Sequence, residues 1–150
     1  MFNLDFANIT SGSNIQIKLT DEDATRYAEE YLTSHKDEVK ELVSQKLKVS
    51  LDVTEPKIHF DEDEIHVSAH VGKSIIKVTA KASASVRWDG KQAQVNIKTL
   101  DVPIVKLEAA KANGVIQQPI KAFIDQIQKD FIIKSFKLHK GAASIEAVKK

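Results

Sequence analysis

Hydrophobic and polar residues alternate through the segment from Ile75 to Leu100, which is interrupted by Asp89-Gly90. Asp-Gly between two alternating runs predicts a β-hairpin, because both turn positions favour φ > 0. With a two-residue loop, Trp88 faces Lys91, and the partners that follow are Val86–Ala93, Ala84–Val95 and Ala82–Ile97. These apolar partners all fall on one face of the ribbon, and the polar residues fall on the other.

The apolar face of this hairpin is made of small side chains. It carries Ala80, Ala82, Ala84 and Ala93, whereas strands are enriched in larger, β-branched and aromatic residues. Something must therefore approach this face closely, and the pattern admits either a packed helix or a bound ligand.

Shorter alternating segments before the hairpin predict the strands of an antiparallel meander. They are Val49–Val53, Ile58–Phe60 and Ile65–Val71, with an acidic turn at residues 61–64. Gly72-Lys73 is predicted as the next turn, which pairs Ala69 with Ile76 and continues as Val67–Val78 and Ile65–Ala80. The apolar faces coincide again, so two turns support one arrangement of faces.

One long amphipathic helix is predicted between Thr20 and Lys48. Thr20 suits an N-cap, and the acidic residues 21–23 suit the first turn, where the helix dipole favours negative charge. Apolar residues then recur at helical spacing; they are Ala24, Tyr27, Ala28, Tyr31, Leu32, His35, Val39, Leu42, Val43 and Leu47. At 1.5 Å per residue, about thirty residues extend over about 40 Å.

A second helical region is predicted from Lys106 to Phe131. Asn113-Gly114 and Gln118-Pro119 interrupt it, so the pattern predicts a short helix, a break and a later helix with Pro119 at its first position. The apolar stripe of this region contains Ile116, Ile120, Phe123, Ile124, Ile127 and Phe131.

Both ends of the chain predict strands. Ser13–Leu19 alternates as a strand, and residues 1–12 are interpreted as an arm that is either flexible or docked. At the other end, a strand pair, Ile133–His139 and Ala143–Ala147, is expected around a turn at Lys140-Gly141.

Composition sets limits on the function. The chain has 150 residues, and we expect them to form a single domain with its own core. The 22 basic and 21 acidic residues give a net charge of +1 and are mixed along the chain, so we expect no nucleic-acid partner. Cysteine is absent, which excludes disulfide and thiol chemistry.

The sequence predicts no integral membrane segment, because no apolar run approaches the roughly 20 residues of a spanning helix. The N-terminal residues lack the basic start and apolar middle of a signal peptide. The compartment stays open: cytoplasmic as the sequence stands, or exported if a leader has been removed.

The histidines do not predict a metal site. His66 and His70 are four residues apart on one strand face, about 13 Å at 3.3 Å per residue, so they cannot share one ion. The acidic residues 61–64 lack the alternating ligands and the glycine of a calcium loop. No nucleophile elbow, phosphate loop or dinucleotide motif occurs, so we expect neither an enzyme nor a cofactor.

The order of elements resembles a bacterial member of the tubular lipid-binding (TULIP) superfamily. The resemblance rests on the strand-to-helix junction at residues 19–23, the meander Val49–Val71, the hairpin around residues 88–91, the late helix at Gln118-Pro119 and the closing strands around residues 139–142. It covers about Ile15 to Val148. It implies an α+β fold in which a strongly bent antiparallel meander sheet wraps around a long N-terminal helix, with a second helix near the C-terminus. It also implies lipid binding without catalysis, in an elongated apolar groove.

The sequence hypothesis is therefore that a groove between sheet and helices binds a lipid or another elongated hydrophobic small molecule. The residues expected to line it are Tyr31, His35, Val39, Val67, Ala69, Val78, Ala80, Ala82, Ala84, Val95, Ile97, Ile120 and Phe123. The alternative is an interaction or scaffold domain whose own helices fill the core. Its sheet edges or its N-terminal arm (Phe2, Leu4, Phe6) would then mediate assembly, a homodimer included.

Overall fold

The computed structural model describes residues 10–47, 50–73, 76–103 and 113–150. The fold is α+β with antiparallel pairing, as the sequence predicted, but the strands form two sheets rather than one. The elements in chain order are β1 (Asn14–Thr20), α1 (Asp21–Ser34), α2 (Lys36–Leu47), β2 (Asp52–Asp61), β3 (Glu64–Lys73), β4 (Ile76–Trp88), β5 (Ala93–Asp101), α3 (Asn113–Gln128), β6 (Phe131–His139) and β7 (Ala142–Lys149).

The central strands form the predicted meander. Its order is β2-β3-β4-β5, and we call it the meander sheet. The ends of the chain meet in a second sheet of order β1-β7-β6, which we call the terminal sheet. The β6–β7 hairpin turns at Lys140-Gly141 as expected, with Gly141 at a φ of 82°. The pairing of β1 with β7 was not predicted, because no local pattern joins the two ends of the chain.

The predicted long helix is two helices. Thr20 caps α1 as expected: its hydroxyl accepts a hydrogen bond from Asp23 N at 3.1 Å, and the Asp23 carboxylate accepts one from Thr20 N. His35 ends α1, with φ −121° and ψ 30°, and α2 begins at Lys36. The sequence reason is a second acidic first turn, Asp37 and Glu38, which favours a new helix N-terminus at this point.

Two segments predicted as separate strands belong to β2. Val53 and Ile58 lie on one strand with a bulge between Thr54 and Lys57. Glu55 takes a φ of 52° there, and Pro56, which has no N–H to donate, is accommodated at the bulge. Val49 lies outside the described residues.

Next to their turns, both predicted registers are wrong by an even number of residues. Trp88 pairs with Ala93, two residues beyond Lys91, because the turn is a four-residue loop in which Asp89 Oδ1 accepts hydrogen bonds from the backbone N–H groups of residues 91 and 92, both at 2.8 Å. Ala69 pairs with Ala80, four residues beyond Ile76. An even shift keeps each side chain on its face, so the assignment of faces survives up to Ala84; beyond the bulge there, Ala82 pairs with Leu100, three residues past the predicted Ile97.

Gly72 is not the predicted turn, since β3 continues to Lys73. A Cβ at Gly72 would lie 2.7 Å from the Ile76 carbonyl oxygen. Glycine is therefore required because the backbone of β4 approaches closely.

Helix α3 also differs from the prediction. It is continuous from Asn113 to Gln128, with Pro119 inside it rather than at its start. Phe131, predicted at the end of this helix, begins β6. The predicted short helix before Asn113 and the arm at residues 1–9 lie outside the described residues.

Helix α1 is held against the edge strand of the meander sheet. The Thr25 hydroxyl accepts a hydrogen bond from Ile58 N at 2.9 Å and donates to Ile58 O at 3.4 Å. Asp21 Oδ1 accepts from Phe60 N at 2.7 Å. These side chains satisfy backbone groups of β2 that would otherwise form an open sheet edge.

Candidate functional site: an apolar cavity

A cavity of about 180 Å³ lies between the meander sheet and the helices. One wall is the inner face of β3, with Ile65, Val67 and Ala69. The opposite wall is α1, which presents Ala28, Tyr31 and Leu32, among others. The side chains that line it are overwhelmingly hydrophobic, so the cavity suits an apolar occupant.

Helix α3 closes one side of the cavity. It contributes Val115, Ile116, Pro119, Ile120 and Phe123, which follow the predicted apolar stripe. Continuity of the helix through Pro119 places the two halves of this stripe on one surface. Val39 of α2 and Phe136 and Leu138 of the terminal sheet also line the cavity.

Tyr27 is a buried tyrosine at this wall. Its hydroxyl donates to the Pro119 carbonyl oxygen at 3.1 Å, which joins α1 to α3, and its ring meets Phe123 edge-on with 5.1 Å between centroids. Burial raises the pKa of Tyr27 well above its usual value, with smaller contributions from Tyr31 and Asp125. This hydroxyl is therefore a structural link that stays protonated.

Tyr31 lies next to Tyr27 on α1, but its hydroxyl does not make the bond to α3 that the Tyr27 hydroxyl makes. Its ring stacks on His35, with centroids 4.3 Å apart and planes 16° apart. Burial and, secondarily, Glu38 raise the pKa of Tyr31. Within the described chain, no hydrogen bond of the Tyr31 hydroxyl is observed, whereas the Tyr27 hydroxyl bonds to α3.

The structure brings together part of the predicted site. Lining residues among those predicted are Tyr31, Val39, Val67, Ala69, Ile120 and Phe123. Alternation along β3 and helical spacing along α1–α3 were sufficient to find them, because both patterns identify the inward face.

The other predicted lining residues lie elsewhere. Ala84, Val95 and Ile97 are buried in the main core, 1–7 % exposed, against the helices and the terminal sheet. Val78 and Ala80 pack on a second, smaller cluster made of Val43, Leu51 and Val71.

Two further predicted positions also fall outside the cavity. Ala82 borders a second groove together with Ser83 and Thr99. His35 is displaced by the helix break and serves as the C-cap of α1, with its N–H donating to Tyr31 O at 2.9 Å.

Most of the lining residues that the sequence analysis missed lie on the apolar stripes and faces it had identified, but two groups lie elsewhere. Phe136 and Leu138 come from the terminal sheet, whose position beside the meander sheet is not encoded in any local pattern. Pro56 and Phe60 come from β2, where the bulge changes the face that follows it. The alternation of β6 could have identified Phe136, because it lies two residues before Leu138 and therefore on the same face of the strand.

Three of the five histidines lie on the outer face of the meander sheet. His59 and His66 are cross-strand partners with ring centroids 6.0 Å apart. His59 Nδ1 lies 2.6 Å from an Asp21 carboxylate oxygen, His66 Nε2 lies 3.6 Å from Glu64, and His70 contacts Glu55. Within the described ranges, no group of three or more His, Cys, Asp or Glu residues is placed to hold a metal ion.

A search for membrane-spanning helices and comparisons with known proteins complete the description. Among the residues with described structure, no helix combines the length and the apolar character needed to cross a membrane. The sequence matches no protein-family model and no curated protein.

Proposed function

We propose that this protein binds a lipid or another elongated apolar molecule in the cavity, without catalysing a reaction. The observation that carries the proposal is the cavity of about 180 Å³, lined by side chains of both sheets and all three helices. The titratable side chains that line it in the described structure are Tyr27 and Tyr31, and the pKa of each is raised. Such a lining favours an apolar occupant over acid–base chemistry.

The energetics support an occupant. An empty apolar cavity costs roughly 24 cal/mol per Å³, so about 180 Å³ costs on the order of 4 kcal/mol. Each methylene transferred from water into such a site contributes about 0.8 kcal/mol. A chain of about ten carbons therefore contributes about 8 kcal/mol, which is comparable with the cost of association.

The free hydroxyl of Tyr31 supports an amphipathic ligand. Tyr31 lines the cavity near the junction of α1 and α2, where Glu38 is close enough to affect its pKa. A carboxyl or hydroxyl head group would bond to the Tyr31 hydroxyl while its chain lies along Val67 and Ala69. The ligand class that fits best is thus a single-chain lipid with a small polar head.

The resemblance to the tubular lipid-binding superfamily is part of the same proposal. It requires that the meander sheet bends around the helices and that the cavity is a segment of an elongated groove. The order of the meander strands and the position of α1–α3 on their inner face are compatible with it.

The test combines native mass spectrometry with uptake of a fluorescent fatty acid. We expect the purified protein to carry lipid-sized mass adducts and to take up the probe. Ala69→Phe adds six ring carbons at the cavity wall and should abolish uptake. Ala82→Phe makes the same change on the neighbouring strand, outside the cavity, and should leave uptake within about twofold of wild type.

Two outcomes contradict the proposal. If the protein carries no adduct and takes up no probe, the cavity is only a packing defect, and an interaction domain becomes the better hypothesis. If Ala69→Phe keeps the fold by circular dichroism and still takes up the probe as well as Ala82→Phe does, the ligand does not occupy this cavity.

A further inference from the structure

The outer face of the terminal sheet carries an excess of positive charge. Lys18 on β1 and Lys134 and Lys137 on β6 are exposed, and Lys140 follows in the β6–β7 turn. Among the described residues of the three strands, Glu146 on β7 is the single carboxylate. We call these four lysines the basic face.

The register brings two of these lysines together. Lys18 and Lys137 both pair with Ser144 of the central strand β7, one from each side. Neighbouring strands are about 4.8 Å apart, so the two lysine backbones are roughly 10 Å apart. None of the four lysines forms an ion pair with any described residue, whereas Lys149 at the end of β7 lies 3.8 Å from Asp130. Like charges at this spacing repel each other, and an external anion would relieve that repulsion.

The meander sheet has a matching row with a different charge environment. Lys57 and Lys81 both pair with Ser68 of β3, again one from each side. On that sheet the charges are balanced: Lys81 faces Asp101 across the strands, Lys98 bonds to Glu64 at 2.5 Å, and His70 contacts Glu55. The same arrangement of residues therefore lies in a neutral field on one sheet and in a positive field on the other.

Exposed apolar side chains border the basic face. Ile132 is 50 % exposed, and its cross-strand partner Val148 is half-buried. Large hydrophobic side chains next to lysines are typical of surfaces that rest on the headgroup region of a membrane. A single-stranded nucleic acid would instead require stacking aromatics, and the described outward positions of this sheet carry none.

We propose that the basic face docks this protein on an anionic lipid bilayer. The charge of the face is complementary to such a surface, and each lysine near it contributes roughly a fivefold gain in binding. The choice of a lipid surface over another polyanion rests on the proposed function, because a protein that takes up single-chain lipids must meet them at a bilayer.

The experiment is sedimentation with vesicles of phosphatidylcholine and of a phosphatidylcholine–phosphatidylglycerol mixture. We expect the wild type to bind the mixed vesicles only, and to be released when salt rises from about 0.1 M to about 1 M. Lys18→Gln/Lys137→Gln should bind the mixed vesicles roughly 25-fold more weakly, from fivefold for each lysine. Lys57→Gln/Lys81→Gln carries the same charge change in the matching row and should differ from wild type by less than about twofold.

Other outcomes overturn the proposal. Equal losses in the two double variants would show that only net charge matters, and binding to both vesicle types would show that the basic face is not involved. Binding to a duplex oligonucleotide without binding to vesicles would identify a different partner. Ala69→Phe separates the two proposals, since it should abolish fatty-acid uptake and leave vesicle binding unchanged.

Discussion

The inner faces of the two sheets have the same chemistry and different packing. In the terminal sheet, Phe131, Ala143 and Ile145 are 0 % exposed, as is Ile127 of α3 above them. In the meander sheet, Ala84, Val86 and Val95 belong to the same filled core, whereas Val67 and Ala69 at the cavity are half-buried. A dense core and a cavity are thus built from hydrophobic residues of the same strand pattern.

What each sheet packs against explains the difference. The inner face of the three-stranded terminal sheet combines large residues such as Phe131 and Ile145 with alanines, and it contacts α3, α1 and the meander strands, so it is filled. The meander sheet has four longer strands with alanines toward the helices, and its helix α1 is held at the β2 edge by Asp21 and Thr25. The helices cannot approach the centre of that sheet closely enough to fill the remaining space.

The largest expected effect contrasts two phenylalanines of β6. Phe131→Ala should lower the free energy of unfolding by about 3–5 kcal/mol, because it opens a hole in a filled core. Phe136 borders the cavity, so Phe136→Ala should cost less than about half as much. Urea unfolding measures both. Equal costs would show that the cavity side is packed as tightly as the terminal sheet.

A smaller effect on the free energy of unfolding is expected from one Ala→Ile substitution in each sheet, and it should have opposite signs in the two sheets. Ala143→Ile adds volume where no space exists and should destabilise by about 1–3 kcal/mol. Ala69→Ile adds the same volume at the cavity wall and should stabilise by about 0.5–2 kcal/mol. Thermal and urea unfolding of both variants provide the measurement. Destabilisation by both substitutions would contradict the contrast.

The smallest expected effect is a loss of stability at alkaline pH, caused by the two tyrosines that line the cavity. The chain has two tyrosines, Tyr27 and Tyr31, and burial raises the pKa of both above the usual value of 10. Because the folded-state pKa is the higher one, the contribution of each to stability is complete below about pH 10 and is lost as pH rises through the folded-state pKa.

Tyrosinate absorbance provides the measurement. The native protein should titrate above pH 10 and the urea-unfolded chain near about pH 10. Tyr27→Phe should leave one native transition, with the smaller rise of Tyr31. A native midpoint at the unfolded value would show that both rings are solvated and that the cavity wall is open.

Sequence patterns located most strands and their faces because alternation has a period of two. Asp89 widened its turn to four residues and shifted the register by two, yet Ala84 and Val86 stayed on the inner face. Turn length depends on the hydrogen bonds of one carboxylate, which the spacing of hydrophobic residues does not report. The break at His35 was missed for a related reason: the apolar stripe continues across it, and only the second acidic turn marks it.

The site was predicted less completely than the fold. Ala80, Ala82 and Ala84 share one face of β4 but have different surroundings. Ala80 packs on the smaller cluster, Ala82 borders the second groove, and Ala84 lies in the main core. Sheet twist and the bulge opposite Ser83 and Ala84 send neighbouring positions to different surroundings. Alternation along a strand identifies the face on which a side chain lies, but it does not determine which element packs against that face.

The sequence by itself determined the helix start at Thr20, the strand faces and the small side chains of the meander sheet, because caps, alternation and side-chain volume are local properties. Only the tertiary structure decided that β1 pairs with β7, that α3 continues through Pro119, and that Phe136 closes the cavity. These depend on which surfaces meet after the chain has folded. The volume left between them follows from the fit of all the surfaces together, so no single segment encodes it.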